Sequence, residues 1–229
     1  MRPPREGSDA AAPLMLPPLL TLITAANIVP APVLLDRLAA LAAHPFDTRA
    51  RVAVQLRDPE LSGRALHALG ARLREATAAV GASLLVNDRL DLAIVLGAEG
   101  VHLGRRSVSI ADARALLGGG VFVSVACHHL DDVARAAGEG ADAAVLSPIF
   151  ATPRKGAPLG LAALRAARGR IEREGRAIAL IALGGVDAGS AAACLEAGAD
   201  GVAAIRADLG AALPAIAAAP RGRREGAAR

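Results

Sequence analysis

Apolar runs and the breaks between them divide this chain into alternating short and long segments. Residues 177–207 read AIALIALGGVDAGSAAACLEAGADGVAAIRA. An apolar run to Leu183 meets a Gly-Gly pair, Asp187 or Ser190 can cap an Ala-rich segment that stops at Gly198, and a second apolar run follows. Neither run alternates with polar positions, which is the pattern of parallel strands covered on both faces, so the stretch predicts strand, turn, helix and strand. Gly184 and Gly185 let another backbone approach closely, and their N–H groups can hold an anion such as a substrate phosphate; a plain tight turn is the competing account.

The same alternation fills the chain upstream. Residues 19–24 form a first strand candidate, followed by a loop through Asn27, Pro30 and Pro32 and a helix over 33–43 with Leu34, Leu35, Leu38 and Leu41 on one face. Further strands are expected over 51–56, 83–86, 100–103, 121–126, 141–146 and 177–183, with an eighth starting near 200. Between them, helices are expected from a Ser62 cap to 80, over 90–96, from a Ser109 cap to 117, over 129–137 and over 161–173, and 211–218 supplies the last. Eight βα units at this short spacing suit a single closed (β/α)8 TIM barrel over 14–219, although a doubly wound open sheet has a similar string. The phosphate-type turn after the seventh strand favours the barrel, where that place commonly holds phosphate.

Composition narrows the function. The net charge of +4 and a pI near 10.3 invite a nucleic-acid reading, but Arg221, Arg223, Arg224 and Arg229 against Glu225 place most of that charge in a basic tail over 220–229. No basic motif with interleaved aromatics is present, so no nucleic-acid partner is expected. Residues 1–13 are Pro, Ala and charge without periodicity, and read as a disordered arm. The apolar segment at 14–23 is broken by Pro17 and Pro18 and is too short to span a bilayer, so no membrane partner is expected and a cytoplasmic protein is. Cys127 and Cys194 are too few and too far apart for a disulfide framework or a zinc site. With three Phe and neither Tyr nor Trp, a ring-shaped substrate has to be held by aliphatic and polar contacts rather than stacking. The sequence assigns no oligomeric state.

In a barrel the active site lies at the C-terminal ends of the strands. The polar residues there are Gln55 and Arg57, Asn87 and Asp88, Cys127 and His128, Thr152, Arg154 and Lys155, then Gly184, Gly185 and Arg206. This cationic rim with amides and a histidine suits a phosphorylated small molecule. His128 can move a proton near neutral pH, whereas His129 reads as a helix-start surface residue and His102 as a packed, hydrogen-bonded one.

Three runs, LLVNDRLDLAIVLGAEGVHLG, SPIFATPRKGAPLGL and IALGGVDAGSAAACLEAGADGVAAI, resemble in the same order the thiamine phosphate synthase family, which includes a branch of thiazole tautomerases. The resemblance implies a (β/α)8 barrel acting on the thiazole phosphate of thiamine biosynthesis. It places Gln55, Arg57, Asn87 and Lys155 at positions that bind a pyrimidine diphosphate, Thr152 at a contact to the thiazole half, and Gly185, Ile205 and Arg206 where the thiazole phosphate is held. It also implies Mg2+ on two aspartates if the chain is a synthase; Asp88 matches the first, and Ser107 replaces the second in Gly104-Arg105-Arg106-Ser107. A lysine of the synthases is Pro59 here, and a loop position often Ser or Thr is Arg154. These departures lean the expectation to a tautomerase-like isomerase with His128 as its catalytic residue, Lys155 being catalytic in the synthase alternative, where with Arg57 and Asn87 it stabilises the departing diphosphate. The alternative is a synthase joining hydroxymethylpyrimidine diphosphate to thiazole phosphate, and the third reading is a non-catalytic binder of thiazole phosphate.

Overall fold

The structure, a computed structural model, describes residues 15–25, 27–153, 155–206 and 212–220. The arm over 1–13, Arg154 and the tail beyond 220 lie outside the described residues. Strands β1 (Leu20–Ile23), β2 (Val52–Leu56), β3 (Ser83–Asn87), β4 (Gly100–Leu103), β5 (Phe122–Cys127), β6 (Ala143–Leu146), β7 (Ala179–Leu183) and β8 (Gly201–Ala204) form one parallel sheet. Each strand pairs with the next and β8 pairs with β1, with Leu20 opposite both Val52 and Val202, so the sheet closes. This is the closed barrel rather than the open sheet.

Helices α1 (Ala31–Ala40), α2 (Phe46–Arg49), α3 (Gly63–Val80), α4 (Leu90–Leu96), α5 (Ile110–Leu117), α6 (Leu130–Gly138), α7 (Gly160–Arg173), α8 (Ala191–Glu196) and α9 (Leu213–Ala218) surround it. The expected bounds of the helix over 90–96 and of β4 coincide with those observed, and Ser62 and Ser109 cap α3 and α5 by accepting from Ala65 and Asp112 amides. The first helix begins two residues early and ends in a 3-10 turn at Leu41–Ala43, because Pro32 in its first turn needs no amide partner and presets the backbone there. The single turn of α2 was not expected; four residues are too few to show a period.

Side chains alternate between two cores, as a closed barrel requires. Ile23, Ala53, Leu85, Phe122, Ala143, Val145, Ala179, Ile181 and Ala203 fill the interior. Leu20, Leu22, Val54, Leu56, Val86, Val101, Val123, Leu146, Leu180, Ala182 and Val202 face outward under the helices. The larger helix-facing core explains why the strands read as unbroken apolar runs.

The lower rim of the barrel repeats one device that the sequence reading missed. Glu99, Asp142 and Asp200, each just before an even-numbered strand, accept the amides of Leu84, Val123 and Leu180 at 2.7, 2.7 and 2.8 Å in the strand before. Each carboxylate is also held by an arginine: Arg74 at 2.6 Å, Arg114 at 2.7 Å, and Arg168. The thrice-repeated Ala-Glu or Ala-Asp at 98–99, 141–142 and 199–200 is the signal that marks it. These bonds lie at the strands' N-terminal ends, where barrel residues serve stability.

Candidate active site

At the opposite rim, a cavity of about 700 Å3 is lined from the C-terminal ends of the strands and the loops after them. The alternation that packs the interior brings Ile23, Gln55, Asn87, His102, Ala126, Leu183 and Ile205 to its walls. Its aliphatic surface is extended by Leu56, Leu61 and Leu66, and none of the three phenylalanines lines it. Of the residues expected at the site, Gln55, Arg57, Asn87, Asp88, His128, Thr152, Lys155, Gly184 and Ile205 line this one space. Gly185 and Arg206 are not among its lining residues; Gly185 packs against Phe150 and Ala151, and Arg206 is exposed beyond β8.

A chain of hydrogen bonds runs along one wall. Buried Gln55 donates from Nε2 to Asn87 Oδ1 at 2.9 Å, and Asn87 donates from Nδ2 to Asp88 Oδ2 at 2.6 Å. Asp88 Oδ1 accepts from the Gly104 amide at 2.9 Å and from the Ser107 hydroxyl. Asp88 has φ of 58°, and this left-handed backbone, which aspartate tolerates, belongs to the turn that presents its carboxylate to those donors. With its amide committed to Asn87, Gln55 retains its carbonyl oxygen as an acceptor.

The magnesium ion implied by the resemblance was expected on Asp88 and a second carboxylate. Ser107 in that second place donates a proton to Asp88 instead of offering negative charge, and Gly104 and Asn87 occupy more of the same carboxylate. Among the described residues, no group of three or more His, Cys, Asp or Glu is arranged to hold a metal. On a diphosphate Mg2+ takes one or two carboxylates beside phosphate and water oxygens; with Ser107 in the second place and three donors already on Asp88, this wall is a poor donor set for it.

Positive charge on the lining is plentiful. Arg57, Arg105, Arg106 and Lys155 are exposed on it, and among the described residues their side chains meet no carboxylate. Arg89 also lines the space, but Asp91 takes its Nε and Nη2 at 2.8 and 2.6 Å. Four cations around one aliphatic space form a place for a multiply charged anion.

His128 is half-buried and held at both ends. Its backbone amide donates to Asp132 Oδ2 at 2.9 Å, as does that of exposed His129, the N-cap of α6, at 3.0 Å. Burial works to raise the Asp132 pKa, but these amides and Arg135 outweigh it and hold the carboxyl below its ordinary range. The His128 ring places Nδ1 2.8 Å from the Ser147 carbonyl, which only accepts, so Nδ1 donates there and Nε2 makes no hydrogen bond among the described residues. The thiol of neighbouring Cys127 is pushed up to about 12 by burial and then by Asp132, which removes it as a nucleophile.

His102, read from the sequence as a packed residue, is buried and yet lines the cavity. Nδ1 lies 3.0 Å from Ser124 Oγ, which donates to the Val101 carbonyl at 3.2 Å. Burial lowers its pKa to about 4, against a smaller upward pull from Asp88 and a downward one from Arg57. An unfolded chain takes up this proton below pH 6.5 and the folded one does not until about pH 4. Stability is therefore complete above pH 6.5 and is expected to fall by roughly 3 kcal/mol as pH drops to 4. Urea unfolding of the wild type and His102→Asn across this range checks it: the variant should lack this component, and equal slopes in both would refute it.

The Gly-Gly turn is a tight one, with the loop after β6 packed against it. Gly184 has φ of 96°, and a Cβ there would come within 2.7 Å of Pro148 Cα; Gly185 has φ of 65°, and a Cβ would come within 2.7 Å of Phe150 Cβ. The carbonyls of Leu183 and Gly184 accept from Ile149 and Phe150, both at 2.9 Å, which draws the loop after β6 onto the turn. The amides of Gly184 and Gly185 donate to no acceptor among the described residues. Close packing thus requires glycine, and the amides stay available to an anion.

Residues 20–207 match the family model described as thiamine monophosphate synthase. A thiamine-phosphate synthase of Methanoculleus marisnigri is 42% identical over 160 residues, covering 69% of this chain and 74% of that protein. One from Moorella thermoacetica is 41% identical over 176 residues, covering 76% and 80%. Among solved structures, a thiamine phosphate pyrophosphorylase from Pyrococcus furiosus superimposes with a TM-score of 0.71 over 86% of this chain and 96% of its own, at 23% identity, which speaks for the fold alone. No helix of the described residues is long and apolar enough to cross a membrane. With the model match covering most of the barrel and relatives above 40% identity, this chain belongs to the thiamine monophosphate synthase family.

Proposed function

We propose that this chain is a synthase that joins hydroxymethylpyrimidine diphosphate to thiazole phosphate, releasing diphosphate and forming thiamine phosphate. The reading departs from the tautomerase-like expectation, because the relatives at about 40% identity are named thiamine-phosphate synthases. The observation that carries it is the set of four uncommitted cations, Arg57, Arg105, Arg106 and Lys155, on one cavity with the Gln55 and Asn87 amides. A single monophosphate does not call for so much positive charge.

In this reading the pyrimidine is oriented by Gln55, whose carbonyl oxygen accepts from the ring's amino group. The bond between the methylene carbon and the diphosphate oxygen breaks, and its electron pair leaves with the diphosphate. Arg57 and Lys155 stabilise that growing negative charge, an interaction stronger in the transition state than in the ground state. The thiazole nitrogen then bonds to the methylene carbon, while the thiazole phosphate is held by the amide of Gly184 near Ile205. Leu183, Ile205 and Ile23 supply the aliphatic walls that exclude water from the cation formed at carbon.

A second reading, thiazole tautomerase, is favoured by one observation: His128 lines the cavity with Nδ1 held by the Ser147 carbonyl and Nε2 without a hydrogen-bond partner among the described residues. Purified protein given thiazole carboxylate phosphate alone, or thiazole phosphate with pyrimidine diphosphate, distinguishes the two by mass-resolved chromatography. Thiamine phosphate is expected from the second mixture, and His128→Ala should retain most of that rate. Isomerised thiazole from the first mixture, lost in His128→Ala, with no thiamine phosphate from the second, would replace the synthase reading by the tautomerase.

A further inference from the structure

We infer that this cavity binds a diphosphate without a divalent metal ion, the guanidinium groups of Arg105 and Arg106 supplying the charge that a metal would bring. It rests on the synthase reading only for the identity of the anion.

The argument starts at Asp88. A magnesium ion bridging a diphosphate to a protein needs carboxylate lone pairs at about 2.1 Å and usually one or two carboxylates. Here exposed Asp88 already takes three donors, the Gly104 amide and the Ser107 hydroxyl on Oδ1 and the Asn87 side-chain amide on Oδ2 at 2.6 Å, which leaves one lone pair of about four. The Ser107 oxygen is itself committed, accepting from the Gly104 amide at 2.7 Å. Asp58, the other carboxylate on the lining, is buried and accepts from the Glu60 amide at 3.2 Å. A cation at this wall meets one open carboxylate lone pair, and any second ligand from Asp88 or Ser107 would cost hydrogen bonds that the fold already makes.

The residues between Gly104 and Ser107 supply the opposite chemistry. Arg105 and Arg106 are exposed, line the same cavity and meet no carboxylate among the described residues. Each guanidinium can fork onto two phosphate oxygens and stays charged at any working pH. The turn that tethers Ser107 to Asp88 therefore also fixes the chain from which both guanidiniums extend over the cavity.

Titration calorimetry with inorganic pyrophosphate in EDTA tests this directly. Saturable binding is expected in EDTA, no tightening when Mg2+ replaces the chelator, and at least tenfold weaker binding in Arg105→Ala/Arg106→Ala with an unchanged urea midpoint. Tenfold tightening by Mg2+, no binding without it, or a double variant that binds like the wild type would each overturn the inference. Running the synthase assay in EDTA and in Mg2+ separates the two claims. Thiamine phosphate made only with Mg2+ overturns this inference and leaves the function standing; metal-free pyrophosphate binding by a protein that makes no thiamine phosphate does the reverse.

Discussion

Arg57→Ala is expected to lower kcat/KM for thiamine phosphate formation by about 10^2 to 10^3, the range seen when one preorganised donor to developing negative charge is removed. The residue follows β2 directly, and its backbone is fixed by Thr24: the Arg57 amide donates to Thr24 Oγ1 at 2.7 Å, and that hydroxyl donates to the Arg57 carbonyl at 2.9 Å. Those bonds do not involve the guanidinium, so the variant should fold normally and keep its urea midpoint. Arg89→Ala is the matched comparison. Arg89 is another cation on the same lining, but Asp91 engages it at two nitrogens, so its removal should change the rate by less than about threefold. Steady-state kinetics on both variants decides the matter, and an Arg57→Ala rate within threefold of wild type would remove this side chain from the proposed chemistry.

Asp200→Ala should cost about 3 to 5 kcal/mol of unfolding free energy, because it leaves the Arg168 guanidinium buried without its counter-charge. The two side chains are only 9% and 12% exposed, and Asp200 also accepts the Leu180 amide inside the sheet. The equivalent pair at Glu99 and Arg74 is 36% and 23% exposed, so solvent screens it, and Glu99→Ala should cost nearer 1 to 2 kcal/mol. Denaturant unfolding of both variants measures the difference. Equal losses would show that burial is not what sets the strength of this repeated rim contact.

Much of the site was legible in the chain because strand ends are legible. An apolar run stops where the backbone leaves the sheet, and the polar residue that follows is placed at the mouth of a barrel whatever its neighbours are. That is why Gln55, Asn87 and His128 could be named from spacing, and why they line one cavity. Arg206 and Gly185 follow strands too, yet neither lines the cavity, because the facing of a residue past the last strand hydrogen bond depends on the loop. His102 shows the complementary difficulty: in the sequence it is an interior residue of an apolar strand, and only the register beside Asn87 and Ser124 places it on the cavity wall.

The sequence by itself determined the alternation of strands and helices, the positions of the Ser62 and Ser109 caps, and the exchange of a carboxylate for Ser107 after the Gly-Arg-Arg turn. Each of these depends on a residue and its nearest neighbours in the chain. Only the tertiary structure decided that the sheet closes, that Asp88 spends its carboxylate on Ser107, Gly104 and Asn87, and that Glu99, Asp142 and Asp200 tie neighbouring strands together. These contacts join groups from different βα units, and which oxygen meets which donor is set by the register and curvature of the closed barrel, which no local window of sequence contains.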